Sequence, residues 1–355
     1  MISVQVYPAF NARYYSFYIQ GLLDLVGPTR LEYTTRGFPR FNWNCLALRV
    51  HGSTEKKIYI HSNDRPELDE TGLRWCDAFG KTNLDPDLVP EGSGRKVIAI
   101  GPMMPVRVWG RFRTFDLALR NLWRSRDAIQ SARKHLGNYR TQLARLPESA
   151  YRPGETCADY IFFIASLWER EPAANAARAR FIDACRSLPG IRFEGGLTPR
   201  QSWGGVGDFE APEYESYRSP RVSPREYVLR SRRSAVTFNN PAYLSCHSWR
   251  LAEHLAMGNA IVSVPIVRAM PASLEHETHV HYVDGSVDSC REAIRRILED
   301  TEYREHLERN ARRYYERYLA PSSVMRRLFR TAGIDDADVP PEPRGASDQP
   351  GGARG

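Results

Sequence analysis

The stretch SCHSWRLAEHLAMGNAIVSVP, Ser245 to Pro265, decides how the second half of the chain is read. Leu251, Ala252 and Leu255 fall on one side of a helix, and Gly258 stands where a left-handed glycine ends one. Ala260 to Val264 is an apolar strand-type run closed by Pro265, so the segment is a helix feeding a buried strand of an α/β layer. Ser248, Arg250 and Glu253 then sit in the first two turns. Unpaired N–H groups and a partial positive charge there suit a phosphate. The Arg250 guanidinium offers a fork of donors for diphosphate oxygens, Ser248 adds a hydroxyl, and Glu253 can accept from ribose hydroxyls. A purely structural reading competes with this: Arg250 and Glu253 as an i,i+3 pair contribute ~0.2–0.5 kcal/mol to an exposed helix.

Similar alternation surrounds the segment. DYIFFIASLW (Asp159 to Trp168) reads as a buried strand, Ala173 to Leu188 as an amphipathic helix, and Ile191 to Gly195 as a strand. A long polar loop, a helix around Arg225 to Arg232, and the strand AVTFN follow. Cys290 to Leu328 reads as helical with a break near Pro321. In the first half, SVQVYP, NCLALRV, KKIYIHS and KVIAIGP are strand-type runs, with a helix over Tyr14 to Val26 and a short one over Pro66 to Trp75. These predict a mainly parallel sheet. Long helices over Phe115 to Leu146, with Phe115, Leu119, Leu122 and Trp123 on one face, connect the halves. The expected division is 1–150, 151–333, and a disordered Pro-, Gly- and Asp-rich tail over 334–355.

The six cysteines occur singly with no CxxC spacing, which speaks against a zinc ribbon or disulfide framework and for a reduced cytoplasm. No signal peptide and no apolar run long enough to span a bilayer is read. The net charge of +8 comes almost wholly from arginine, since only Lys56, Lys57, Lys81, Lys96 and Lys134 are lysines. Charge alone is therefore weak evidence for nucleic acid, and no RNP, zinc-finger or helix-turn-helix pattern supports it. Arg107 to Arg152 is strongly basic and interleaved with Trp109, Phe112, Phe115 and Trp123. It is read as a solvated helical region or as a peripheral contact with the inner face of the membrane.

The residues Ser248-Trp249-Arg250-Leu251-Ala252-Glu253, followed by Ala256-Met257-Gly258-Asn259-Ala260-Ile261-Val262-Ser263, resemble the donor-binding segment of GT-B glycosyltransferases of the group 1 family and its exostosin-like relatives. The resemblance continues through HVHYVDG (His279 to Gly285) and the following helices, and covers roughly residues 158–330. It implies two Rossmann-like domains facing a cleft, a C-terminal helix crossing back to the first, a nucleotide-sugar donor on the second domain, and no bound metal or cofactor. In retaining members a first glutamate contacts the transferred sugar. Counting eight positions back from Glu253 reaches Ser245 instead, which turns the expectation toward an inverting or exostosin-like enzyme.

Further candidates follow from position. Ser166, Trp168 and Arg170 close the first strand of the second domain, where ligands of open α/β sheets bind. Trp168 suits a base and Arg170 a phosphate. Asp64 and His61 are base candidates for an inverting transfer, beside Glu67 and Asp69. Asp64-Arg65-Pro66-Glu67 also reads as a helix capping box, which is the favoured role. In EHETHVH, alternation puts His279 and His281 on one strand face near His276, Glu275 and Glu277; a cleft or rim role is favoured over a metal. The expected function is sugar transfer from a nucleotide sugar to an acceptor left open between a lipid-linked and a small molecule. A non-catalytic GT-B-fold binding or scaffold protein is the alternative.

Overall fold

A three-residue turn, Gly52 to Thr54, sets the topology of the first sheet. The computed structural model describes residues 2–200, 209 and 211–335. In it β1 (Ser3–Val6) runs into α1 (Ala12–Val26), capped by the Asn11 side chain, which accepts from the Arg13 N–H at 3.0 Å. Then come β2 (Leu31–Tyr33), β3 (Leu46–His51), β4 (Glu55–His61), α2 (Glu70–Trp75), β5 (Ala78–Lys81) and β6 (Val97–Ala99). The sheet order is β2-β1-β3-β4-β5-β6. Three of its five pairings are parallel, as expected, but β3 runs antiparallel to both β1 and β4. The reason is chain length: a tight turn can return a strand only antiparallel, whereas a parallel return needs a crossover of a dozen or more residues. The connecting region forms two helices, α3 (Arg111–Arg124) and α4 (Ala132–Leu143).

The second unit runs β7 (Tyr160–Ser166), α5 (Pro172–Arg186), β8 (Arg192–Thr198), α6 (Pro224–Arg233), β9 (Thr237–Asn239), α7 (Trp249–Met257), β10 (Ile261–Ser263) and β11 (His281–Tyr282). β7 pairs with β8, and β9, β10 and β11 pair in that order, all in parallel. The Ala235 N–H donates to the Tyr160 carbonyl at 2.8 Å and the Phe162 N–H to the Ser234 hydroxyl at 2.8 Å, which lays β9 against the other side of β7. The resulting order is β8-β7-β9-β10-β11. From β7 the chain turns outward through α5 to β8, and from β9 it turns the other way through α7 to β10. Side chains of α5 share a core with α8 (Val287–Glu299), whereas those of α7 belong to the core shared with the first unit. Such a reversal opens a crevice at the carboxyl ends of the two central strands, here β7 and β9.

After α9 (Thr301–Tyr314) the chain crosses back, and α10 (Pro321–Thr331) packs on α1 and β5. Val324, Met325, Leu328 and Phe329 are buried in the core that also holds Phe17, Ile19 and Leu22. Apart from Ile334 and Asp335, the expected tail lies outside the described residues.

The α1–α10 contact depends on Gly21, where a Cβ would come 2.1 Å from the Pro321 carbonyl oxygen and 2.8 Å from Met325 Cγ. Gly21→Ala should destabilise the protein by about 1–3 kcal/mol through overpacking. Gly110→Ala, where nothing stands within 4 Å, should be close to neutral by comparison. Thermal unfolding of the two variants checks this, with a clear drop in midpoint expected for Gly21→Ala alone.

Candidate functional site

Three arginines gather near the carboxyl ends of β7 and β9. Arg178 on α5 is 1 % exposed, and donates from Nη1 to the Ser166 carbonyl at 2.6 Å and from Nε to Asn240 Oδ1 at 3.1 Å. Burial lowers its pKa well below the usual arginine value, and repulsion from Arg250 and Arg200 adds to the effect. Arg250, half-buried on α7, donates from Nη1 to the Ile164 carbonyl at 2.9 Å and lies over the Phe163 ring. Arg200, just beyond β8, places its guanidinium 3.7 Å from the centroid of Trp168. Arg178 and Arg250 thus bond to neutral acceptors while standing near each other and Arg200. Glu171 acts on Arg178 and Glu253 on Arg250 without hydrogen-bonding to either, and cations held this way favour a further anion beside them.

Helix α7 begins at the same place. Ser248 is its N-cap and accepts from the Arg250 N–H at 3.2 Å, and Gly258 ends it in the left-handed conformation at φ 63°. A small cavity at this end is lined by Asn239, Ser245, Cys246, His247, Ser248 and Leu251, with Pro241, Ile266 and Val267. Asn239 is 2 % exposed and its Nδ2 donates to the Ser263 hydroxyl at 2.9 Å, which leaves Oδ1 buried without a partner. Such an oxygen is an acceptor waiting for a ligand hydroxyl or amide. Leu244 and Ser245 just ahead of the helix both have positive φ, 53° and 58°, an uncommon conformation for side chains with a Cβ.

The first unit closes the other side. The His247 N–H donates to Asn83 Oδ1 at 2.8 Å, the Ala269 N–H to the Leu84 carbonyl at 2.9 Å, and Arg268 pairs with Asp85 at 2.5 Å. Tyr14 meets Trp249 edge-on with ring centroids 5.3 Å apart, and Arg13 lies over the same Trp249 ring. Asp64 sits at this seam, open to solvent. Partial desolvation raises its pKa, while the Cys246 thiol, Lys81 and Arg200 oppose the rise.

The structure places each expected residue as follows. Ser248 and Arg250 stand together at the α7 start. Glu253 is 7 % exposed and points into the seam toward Tyr227 and Arg145 rather than into the cavity at the helix start. Trp168 is half-buried at the crevice, its backbone held by Asn175, which accepts from the Trp168 N–H at 3.0 Å and donates to its carbonyl at 2.8 Å. Arg170 is exposed on the loop after β7.

The cap expected at Asp64 belongs to Asp69, whose carboxylate accepts from the Gly72 N–H at 2.7 Å. Helix α2 starts only at Glu70, and Lys81, fully buried, grips Asn63 Oδ1 at 2.7 Å and the Arg65 carbonyl at 2.6 Å, holding that bend out of the helix. Asp64 is thereby free of the helix. His61 lies beneath, 7 % exposed against Lys81, and burial lowers its pKa to about 3, which makes it a poor proton acceptor. The histidine segment also differs from its expected pairing. The His276 and His281 rings meet at 4.9 Å, while His279 packs edge-on against Tyr314. The strand there is only His281–Tyr282, too short for the alternation that would join His279 to His281. Among the described residues no cluster of three His, Cys, Asp or Glu could hold a metal ion.

Arg178, Arg200, Asn239 and Lys81 were not singled out by sequence. Arginine is so common here that two more carry no signal. Lys81, one of only five lysines, did carry one.

Residues 170–330 match the family described as glycosyl transferase-like. The second unit is a glycosyl transferase-like domain. With two α/β units meeting at a seam and a helix crossing back, the chain has the GT-B arrangement, and the glycosyl transferase-like match covers its second unit. Comparison with curated proteins returned no match. Similar solved structures include the C-terminal domain of the group 1 glycosyltransferase LpcC from Francisella tularensis, at 10 % identity and TM-score 0.33, covering 48 % of this chain and 95 % of that one. Another is HepE from Anabaena in complex with UDP, at 12 % identity and TM-score 0.43, covering 77 % and 71 %. A glycosyltransferase from Rickettsia africae matches at 8 % identity and TM-score 0.42, covering 77 % and 69 %. At these scores the neighbours bear on neither substrate nor mechanism.

Glu253 gives a pH test. Burial raises its pKa from 4.5 to about 7, with Tyr227, Arg145 and Arg250 opposing the rise. The fold thus favours the protonated acid, while the unfolded chain loses that proton near pH 4.5. Stability should fall as pH rises from about 4.5 to 7 and then level off. Glu253→Gln should match wild type near pH 4 and exceed it by up to about 3 kcal/mol above pH 7. Unfolding of both across this range measures it, and a pH-independent difference contradicts the assignment.

Proposed function

We propose that the protein transfers a sugar from a nucleoside-diphosphate sugar to an acceptor hydroxyl, with the diphosphate held in the arginine-lined crevice at the start of α7. The observation that carries this reading is the group of Arg178, Arg200 and Arg250 at the β7 and β9 ends, two of them bonded to neutral acceptors. Negative charge builds on the leaving diphosphate as the glycosidic bond breaks. Fixed guanidinium groups and the N–H groups of α7 stabilise that charge without a metal. Asn239 Oδ1 accepts from a sugar or base group, and Trp168 holds the Arg200 guanidinium against its ring beside the phosphates.

Asp64 is the general base. It is a carboxylate at the seam, released from the helix cap, with a pKa moved up toward the range in which a carboxylate takes a hydroxyl proton efficiently. Lys81 is a positioning residue, since it fixes the segment that carries Asp64. A base on the acceptor side, with Ser245 where retaining relatives carry a glutamate, fits direct displacement with inversion.

Calorimetric titration with UDP-, GDP-, dTDP- and ADP-sugars tests the donor site. One donor should bind to wild type, and Arg250→Ala should weaken it by at least about tenfold, the loss of one charge-assisted hydrogen bond. Undiminished binding by Arg250→Ala, or binding of none of the four, rejects the site. Asp64→Asn should keep donor affinity and lose about 100-fold or more in transfer rate, and an unchanged rate removes Asp64 as the base.

A further inference from the structure

Helix α3 is amphipathic in the wrong sense for a globular protein. The side facing the protein carries Thr114, Leu117, Ala118 and Asn121, all buried. It is held to α4 largely by polar contacts: Asn121 Nδ2 to the Tyr139 hydroxyl at 2.9 Å, and the His135 imidazole with the Ala118 carbonyl at 3.2 Å. The opposite side carries Phe112, Phe115, Leu119 and Trp123, which are 94, 52, 59 and 77 % exposed. Their spacing puts all four in one stripe along the helix. Single exposed apolar residues are ordinary, but a contiguous stripe of three aromatics and a leucine marks an interaction surface.

Charge identifies the partner. Between Arg107 and Arg152 there are eleven Lys and Arg against three Asp and Glu, an excess of eight that equals the net charge of the whole chain. The rest of the protein is neutral. Arg111, Arg113, Arg120 and Arg124 belong to α3 itself, and Arg133, Lys134 and Arg140 are exposed on neighbouring α4. An apolar stripe bordered by cations is the pattern of a helix lying in the plane of an anionic bilayer. Its rings enter the headgroup boundary and its arginines meet lipid phosphates.

We propose that α3 docks the protein on an anionic lipid surface, with Phe112, Phe115, Leu119 and Trp123 entering the interface and the α3 and α4 basic residues pairing with headgroups. This surface is separate from the donor crevice and stands or falls independently of it. Among the described residues no helix is long and apolar enough to cross a membrane, so the contact is peripheral.

Co-sedimentation with phosphatidylglycerol-containing vesicles and with pure phosphatidylcholine vesicles tests it. Wild type should bind the anionic vesicles and hardly the neutral ones. Phe112→Ser/Trp123→Ser should weaken binding by at least about tenfold, with its thermal midpoint and donor binding unchanged because both side chains are exposed. Arg120→Glu/Arg124→Glu should weaken it too, and added salt should reduce wild-type binding. Equal binding by wild type and both variants, or no binding to anionic vesicles, overturns the proposal. So does a wild-type dimer that Phe112→Ser/Trp123→Ser converts to monomer in light scattering, since a second copy would then cover the stripe. RNA binding lost in the arginine variant but kept in the aromatic one would also overturn it.

Discussion

A guanidinium group with 1 % of its surface exposed and only neutral oxygens for partners is an expensive thing to fold around, and Arg178 is such a group. Its acceptors are the Ser166 carbonyl at the end of β7 and the side chain of Asn240 just after β9. The cation therefore joins the two strands between which the topology reverses. Arg250 does the same from α7, reaching the Ile164 carbonyl. Removing a partner from a buried charge costs several kcal/mol, on the order of 3–5, so these bonds fix how the strand ends and the α7 start are spaced. In the proposed reading the residues that hold the strand ends together also receive the ligand.

The seam extends this logic to the first unit. Asn83 and Asp85, just after β5, hold His247 and Arg268 of the second unit, and α10 returns to pack against α1 and β5. Lys81 ends the same strand and donates to Asn63 Oδ1 and the Arg65 carbonyl, and its burial away from water lowers its pKa to about 7. One strand end thus positions both the contact with the second unit and the segment bearing Asp64. In the proposed reading this shared base would hold donor and acceptor in register, as a reaction of two substrates needs.

Much of the second unit was legible from sequence because its signals are local. Leu251, Ala252 and Leu255 repeat at helical spacing, Ser248 caps, Gly258 stops, and each of these acts within one turn of its neighbour. The first sheet was legible only in part. β3 looks like any buried strand, and only the brevity of the Gly52–Thr54 turn forces it antiparallel. Asp64-Arg65-Pro66-Glu67 resembled a capping box since nothing in those four residues reveals that Lys81, sixteen positions past Arg65, holds the backbone out of the helix. Arg178 and Arg200 act across folded distance, and an arginine-rich chain hides them. The stripe on α3 was visible as a helical face, but its direction depended on α4 and could not be read from periodicity, which marks an apolar face without saying what covers it.

The most direct test of the central claim is a crystal structure of the protein grown with a nucleoside diphosphate. The account predicts the diphosphate between the β7 and β9 ends, its oxygens within hydrogen-bonding distance of Arg250 and the first N–H groups of α7, with Arg178 and Arg200 beside it. A nucleotide bound elsewhere, with the crevice still occupied only by its arginines, would contradict it.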